Sequence, residues 1–184
     1  MRSIVEALDR HAVERPRHAA VISADGEVMS YAALRERAVA VQHWIEGRGC
    51  GQTIAISLSS GPDFWCALLG TARSGRVPAL VPCPLPGLVK LRMPRELGDP
   101  TVIDAACMDA IRAQPSAGAA RVGEARGAIL LSSGTTGFSR FVVRSSAAID
   151  SVAATNVEEG LACAEDDIAS FLPMAHAYGF EHSV

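Results

Sequence analysis

Two short apolar runs, TIAISL at 53–58 and VPALVP at 77–82, bracket the helix-like stretch SSGPDFWCALLGTARSG at 59–75. Two strands separated by one helix, with connections of a few residues, can pair only in parallel. Parallel strands must be covered on both faces, so this βαβ pattern commits the chain to an α/β architecture with a buried sheet. Pro62 suits the first turn of the helix and Gly75 its end, which fixes the limits of the unit.

The flanking segments extend the pattern. Ile4, Val5, Leu8 and Ala12 recur at near-helical spacing before Pro16, which predicts a short amphipathic helix over 3–14. AAVIS and EVMSY flank Ala24-Asp25-Gly26 and predict a hairpin. Ser30 is placed to cap a helix with Leu34, Ala38, Val41 and Ile45 on one face, ending at Gly47, Gly49 and Gly51. The stretch from Cys83 to Pro100 is proline-rich, and it divides the chain into a first lobe at 1–99 and a second at 100–184. In the second, TVIDA reads as a strand, ACMDAIRAQ as a helix, GAILL and FVVR as strands, and DDIASFLP as a last strand or its approach. SSAAIDSVAATNVEEGL reads as a helix with Ile149, Val152, Ala153 and Val157 turned inward.

Composition excludes several classes. Of the 184 residues 49% are hydrophobic and 20% charged, which supports a packed core, and no run reaches the length of a membrane span. The formal net charge is -3 and the basic residues are scattered, so nothing recruits nucleic acid. Five widely spaced cysteines with no CxxC pair read as reduced thiols in packing roles. The N-terminal segment alternates charged with apolar residues and does not read as a signal peptide, so a cytoplasmic protein is expected. Trp44 and Trp65 read as core anchors, and the pairs Glu158-Glu159 and Asp166-Asp167 as solvated faces.

Chemistry concentrates in SSGTTGFSR at 132–140, immediately after an apolar strand. Small residues let successive main-chain N–H groups converge on anionic oxygens, Thr135, Thr136 and the serines add hydroxyl donors, and Arg140 adds a positive charge. A serine-rich turn between two strands is the structural alternative. The Walker spacing fails, because no GK[ST] leads into a helix, and no GxGxxG is present. His176 and His182 stand six residues apart, which fits no zinc spacing.

SSGTTGFSRFVVRSS resembles the phosphate-loop signature of the adenylate-forming superfamily, which includes acyl- and aryl-CoA synthetases, nonribosomal-peptide adenylation domains and luciferases. Ser133, Gly134, Thr135, Thr136 and Gly137 match position for position. PMAHAYGF is similar to the second signature through Pro173, His176 and Gly179, and EVMSYAALRERAVAVQHWIEGRG and the βαβ unit follow in the family's order. The sequence departs from the pattern at Ser139 and Arg140 (usually proline and lysine), at Phe141 (usually glycine) and at Ser146 (commonly histidine). Arginine keeps the charge of lysine and adds a bidentate fork.

The resemblance implies the N-terminal portion of the adenylate-forming fold, with parallel βαβ units in two lobes. It implies attack of a carboxylate on the α-phosphorus of ATP, with Mg2+ sharing the charge, and then acyl transfer to a thiol of coenzyme A or a carrier-protein pantetheine. Ser133, Gly134, Thr135, Thr136, Gly137 and Arg140 would hold ATP phosphates, and His176 and Gly179 would line the acid. The family's acidic metal ligand, ribose-binding aspartate and catalytic lysine lie beyond these signatures. The one lysine, Lys90, precedes the loop. The reading is therefore a truncated N-terminal fragment, inactive by itself and prone to self-association through unpaired strand edges, with its magnesium ligands and catalytic residues unassigned. The other reading is a catalytically inactive remnant that binds nucleotide or serves as a protein-interaction module. Because MAHAYGFEHS lacks the aspartate that pairs with a substrate ammonium in amino-acid-activating relatives, the acid is expected to be aryl or aliphatic.

Overall fold

The computed structural model describes residues 1–83, 97–114, 121–132, 140–163, 166–170, 172–176 and 179–180. In chain order the elements are α1 (Arg2–Glu14), β1 (Ala19–Ile22), β2 (Val28–Ser30), α2 (Tyr31–Gly47), β3 (Thr53–Ile56), α3 (Pro62–Arg73), β4 (Val77–Leu80), β5 (Thr101–Ile103), α4 (Ala105–Arg112), β6 (Gly127–Ser132), β7 (Arg140–Ser145) and α5 (Ser146–Glu158). The fold is α/β, as the βαβ pattern requires.

Five strands form one sheet in the order β5-β3-β4-β6-β7, and β1 and β2 form a separate antiparallel pair. β3, β4, β5 and β6 run parallel, and β7 returns antiparallel along β6 from Ser132↔Arg140 to Gly127↔Ser145. Strands from both sides of position 100 are thus hydrogen-bonded into one sheet. The central strands carry Ile54, Ala55, Ile56, Ala79, Leu80, Ala128 and Leu130, all fully buried.

Local chemistry explains the helix starts. The Ser30 hydroxyl accepts the amide of Ala33, the Asp104 carboxylate accepts that of Cys107, and the Ser145 hydroxyl accepts that of Ala148. These are the side-chain caps that orphan N–H groups demand. The Cys107 amide holds the Asp104 carboxyl below its ordinary range. Leu34, Ala38, Val41 and Ile45 of α2 are all buried. α2 and α3 cross closely at Gly70, where a Cβ would stand 2.5 Å from Cβ of Val41 and 2.6 Å from the carbonyl oxygen of Ala38. Burial also pushes the Cys66 thiol up to about 12, so it packs as a neutral group.

Two sequence expectations are corrected. In α5 only Ile149 is fully buried, Val152 and Ala153 are half-buried, and Val157 is 62% exposed. No strand forms over the described residues of 166–173, and Asp166 to Ser170 are exposed.

Among the described residues, Arg73 is the one charged side chain that is buried in the helical layer. Arg73, at the end of α3, is 1% exposed, and its Nη1 donates to Oδ1 of Asp9 on α1 at 2.7 Å. Its Nε donates to Oε1 of Gln42 on α2 at 3.3 Å, and the Gln42 amide donates in turn to Glu46 and to the carbonyl of Arg121. Arg35 also donates to Asp9, at 2.8 Å. Asp9→Ala strands the guanidinium without its counter-charge and is expected to destabilise the protein by about 3 kcal/mol in denaturant unfolding. The paired replacement Asp9→Leu with Arg73→Met is expected to recover most of that loss. Equal losses for the single and paired variants would show that the charge pair is not what matters.

Candidate functional site

All four parallel strands end at the same sheet edge, and the order β5-β3-β4-β6-β7 places β4 and β5 on opposite sides of β3. A reversal of this kind opens a crevice beyond the carboxyl ends of the strands, where α/β sheets take ligands. β6 ends at that edge with Ser132 and β7 begins there with Arg140, the two paired in register. Ser133, Gly134, Thr135, Thr136 and Gly137 lie outside the described residues. Arg140 is the first residue of β7.

The second signature reaches the same edge from the β3 side. Beyond β3 the chain runs through Ser59, Ser60 and Gly61 into α3. The Ser60 hydroxyl accepts the amide of Met174 at 3.1 Å, which pins the segment carrying His176 to the start of α3. The turn is shaped by main-chain bonds: His176 N–H donates to the Pro173 carbonyl at 2.9 Å, and Phe180 N–H donates to the His176 carbonyl at 3.0 Å. Gly179 closes against Pro173, whose oxygen would lie 2.6 Å from any Cβ at position 179. Met174 and Phe180 are buried beneath the turn, whereas the His176 side chain is exposed.

The structure thus unites Pro173, His176, Gly179 and Ser60 at the sheet edge. Ser60 escaped the sequence reading, which counted 59–61 within the helix-like stretch 59–75; a pair of hydroxyls just before Gly-Pro was its only signal. Ser146, where histidine is common in the resembling family, also has a clear role. Its hydroxyl accepts the amide of Arg2 at 3.0 Å and donates to Asp150 at 3.2 Å. Asp150 also accepts from Ser3 and from the Met1 ammonium, fastening α1 to α5. Burial raises the Asp150 carboxyl, but these donors outweigh it and hold the group below its ordinary value.

A cleft of about 780 Å³ adjoins the turn, floored by Ser60, Gly61, Trp65 and Met174. Beside it is an apolar pocket of about 310 Å³ lined by Leu8, Leu34 and Leu69. Tyr31 and Trp65 border both. Among the described residues no group of three or more His, Cys, Asp or Glu side chains converges to hold a metal ion. No helix among them is long and apolar enough to cross a membrane.

No family model and no curated protein matches the chain. Solved structures do. VinN in complex with 3-methylaspartate superposes with a TM-score of 0.73 and 20% identity over 97% of this chain and 57% of its own. Apo MatB from Rhodopseudomonas palustris gives 0.74 and 21% over 97% of this chain and 42% of its own. O-succinylbenzoate coenzyme A synthetase (MenE) from Bacillus subtilis, in complex with AMP, gives 0.70 and 18% over 95% of this chain and 51% of its own. The chain spans about half the length of these structures. Its fold is that of the N-terminal part of adenylate-forming enzymes.

Gly179→Ala is expected to push the turn away from Pro173 and expose Phe180, with amide exchange at 176 and 180 faster by about tenfold or more. Unchanged exchange at both amides would mean that the close approach does not hold the turn.

Proposed function

We propose that this chain supplies the ATP-phosphate and acid-carboxylate part of an adenylate-forming ligase, in which a carboxylic acid is activated as its acyl-adenylate. The observation that carries the reading is the position of SSGTTG. In the sequence it starts at Ser132, the last residue of β6, and precedes β7, and β6 ends at the carboxyl edge of a sheet with the fold of adenylate-forming enzymes. In the reaction a carboxylate oxygen attacks the α-phosphorus of ATP, the bond to the bridging oxygen breaks, and pyrophosphate departs with its electron pair. Charge spreads over non-bridging oxygens, so the protein's work is positioning and electrostatic stabilisation. Main-chain amides of Ser133, Gly134 and Gly137, the hydroxyls of Thr135 and Thr136, and the Arg140 guanidinium are the donors for the β- and γ-phosphates. Mg2+, when bound, would share that charge. The exposed His176 imidazole and the close backbone at Gly179 would border the acid. The activated acyl group would then pass to a thiol, either coenzyme A or a carrier-protein pantetheine.

A second reading is nucleotide binding without chemistry, in a module that serves protein interaction. Phe141 favours it. Paired with Leu131 in the β6–β7 ladder, it puts a bulky residue where the resembling signature has glycine, and so stiffens the base of the loop.

Thr135→Ala and Thr136→Ala are each expected to weaken ATP affinity by about 1.5–3 kcal/mol, measured by calorimetric titration, with acid binding unchanged. Arg140→Ala is expected to behave likewise, and a loss confined to the acid would refute the assignment of the loop. The two readings separate in ATP–pyrophosphate exchange, which only the ligase supports.

The substrate is proposed to be an aryl or aliphatic acid without an α-amino group. Burying an ammonium without a counter-charge is costly, and the MAHAYG stretch offers none. VinN, solved with 3-methylaspartate and with L-aspartate, shows that the fold accommodates amino acids, so the expectation rests on this chain's own residues. Exchange stimulated by des-amino analogues more than by the parent amino acids is the expected result, and the opposite order would overturn it.

A further inference from the structure

The cleft beside the turn has an unusual wall. Six consecutive residues, Ala19 to Ala24, line it. Side chains of a strand alternate between two faces, so an uninterrupted run can border a cleft only along the strand's edge. β1 pairs with β2 alone, which leaves its second edge without a strand partner among the described residues. The cleft therefore runs along an open row of main-chain donors and acceptors.

The same cleft is bordered by the chain's own segment 166–170, which contributes Asp166, Asp167, Ile168 and Ser170. The sequence of this segment reads as a last strand or its approach, and its residues are exposed and form no strand. The two walls are complementary in charge. Arg15 and His18 border the cleft just before β1. Arg15 is held by the neutral partners His11, at 3.1 Å, and the Tyr31 ring, at 5.7 Å, with no carboxylate partner among the described residues. Asp166 accepts only the main-chain amide of Cys163, and Asp167 has no cation partner among the described residues. The walls also match in apolar surface, since Ile22 is 58% and Ile168 59% exposed. The segment is anchored at its far end, at Met174 through Ser60, and it borders the same cleft as β1, so closure needs no large excursion.

We propose that residues 166–170 close the cleft by adding to the free edge of β1 as a third, parallel strand, with Asp166 and Asp167 meeting Arg15 and His18. The parallel sense follows from the charges, because the acidic start of the segment and the basic approach to β1 belong at the same end. Closure covers Ile168 and Ile22 and satisfies main-chain groups on both walls. Own-chain closure is favoured over a foreign ligand because the two walls already complement each other. The segment leads directly into the turn that bears His176, so an open and a closed form of the cleft would be mechanically tied to that turn. The proposal stands apart from the ligase reading.

Amide exchange on the whole chain tests it. Amides of 166–170 and of β1 are expected to exchange at least about tenfold more slowly than unstructured peptide, and the Asp166→Asn/Asp167→Asn variant is expected to lose that protection while α2 and α3 keep theirs. Unstructured rates over 166–170 in the parent chain would overturn the proposal, as would protection indifferent to the two carboxylates. A second measurement uses Ile22→Cys with Ile168→Cys in a Cys83→Ser/Cys163→Ser background. This pair is expected to cross-link readily, and Val28→Cys with Ile168→Cys, which uses the exposed Val28 of β2, poorly. Equal yields for the two pairs would also overturn it.

Discussion

The contact on which the layout depends is the ion pair between buried Arg73 and half-buried Asp9. A guanidinium removed from water is tolerated only where a counter-charge and further acceptors meet it, and here both come from other helices. α1 must bring Asp9 to the end of α3, and α2 must bring Gln42. The crossing of α2 over α3 at Gly70 then has little latitude. Arg73 also sits where the carbonyl end of its helix favours a cation. Its own carbonyl receives the Gly123 amide at 2.6 Å, so the approach to β6 is set by the same residue.

The other end of α3 repeats the logic with opposite sign. Asp63, in the first turn, accepts both Nη1 bonds of Arg112 from α4 at 2.7 Å and faces Arg37 of α2 at 3.6 Å. These bonds raise the Arg112 guanidinium above its ordinary value against the opposing effect of burial. Ser60, two residues before the helix, holds the segment leading to His176. One helix therefore carries a cation clamp at its far end and an anion clamp at the sheet edge where the candidate site lies. Positioning of the site is inherited from helix packing rather than built by the loops themselves.

This explains what the residues disclosed in advance. Local signals were legible. Ser30 before an apolar stripe, Pro62 and Gly75 around an apolar helix, and Asp25-Gly26 between β-prone runs each describe a few adjacent residues, and the corresponding elements are present. The Arg73–Asp9 pair spans 64 positions and has no local signature, so composition could report arginine abundance but not where one is buried. The reading failed where local pattern lacked a tertiary partner. Val157 continues the stripe of α5 and is exposed, and DDIASFLP has the composition of a strand without a strand beside it. At the candidate site the spacing of Pro173, His176 and Gly179 was visible, but its physical reason, the approach of Gly179 to the Pro173 carbonyl, was not. Ser60 was hidden because a hydroxyl that grips a distant amide looks like any serine in a loop. Residues 133–137 carry the resemblance and lie outside the described residues, so their assignment to phosphate remains a proposal.

The turn itself separates what folding demands from what chemistry demands. Pro173 contributes a carbonyl, and Gly179 contributes the absence of a Cβ, which no other residue can supply at 2.6 Å from that oxygen. Met174 and Phe180 fill the core beneath. At position 176 a main-chain N–H and a carbonyl, groups that every residue except proline carries, shape the turn, and the residue is exposed. The close approach thus fixes glycine at 179, whereas the two main-chain bonds at 176 form with any residue that keeps its N–H. An exposed side chain held at the carboxyl edge of a parallel sheet by buried neighbours is where selection on chemistry acts with least effect on the core. That division is the physical argument for seeking the function of this chain at His176 rather than among the buried residues that seat it.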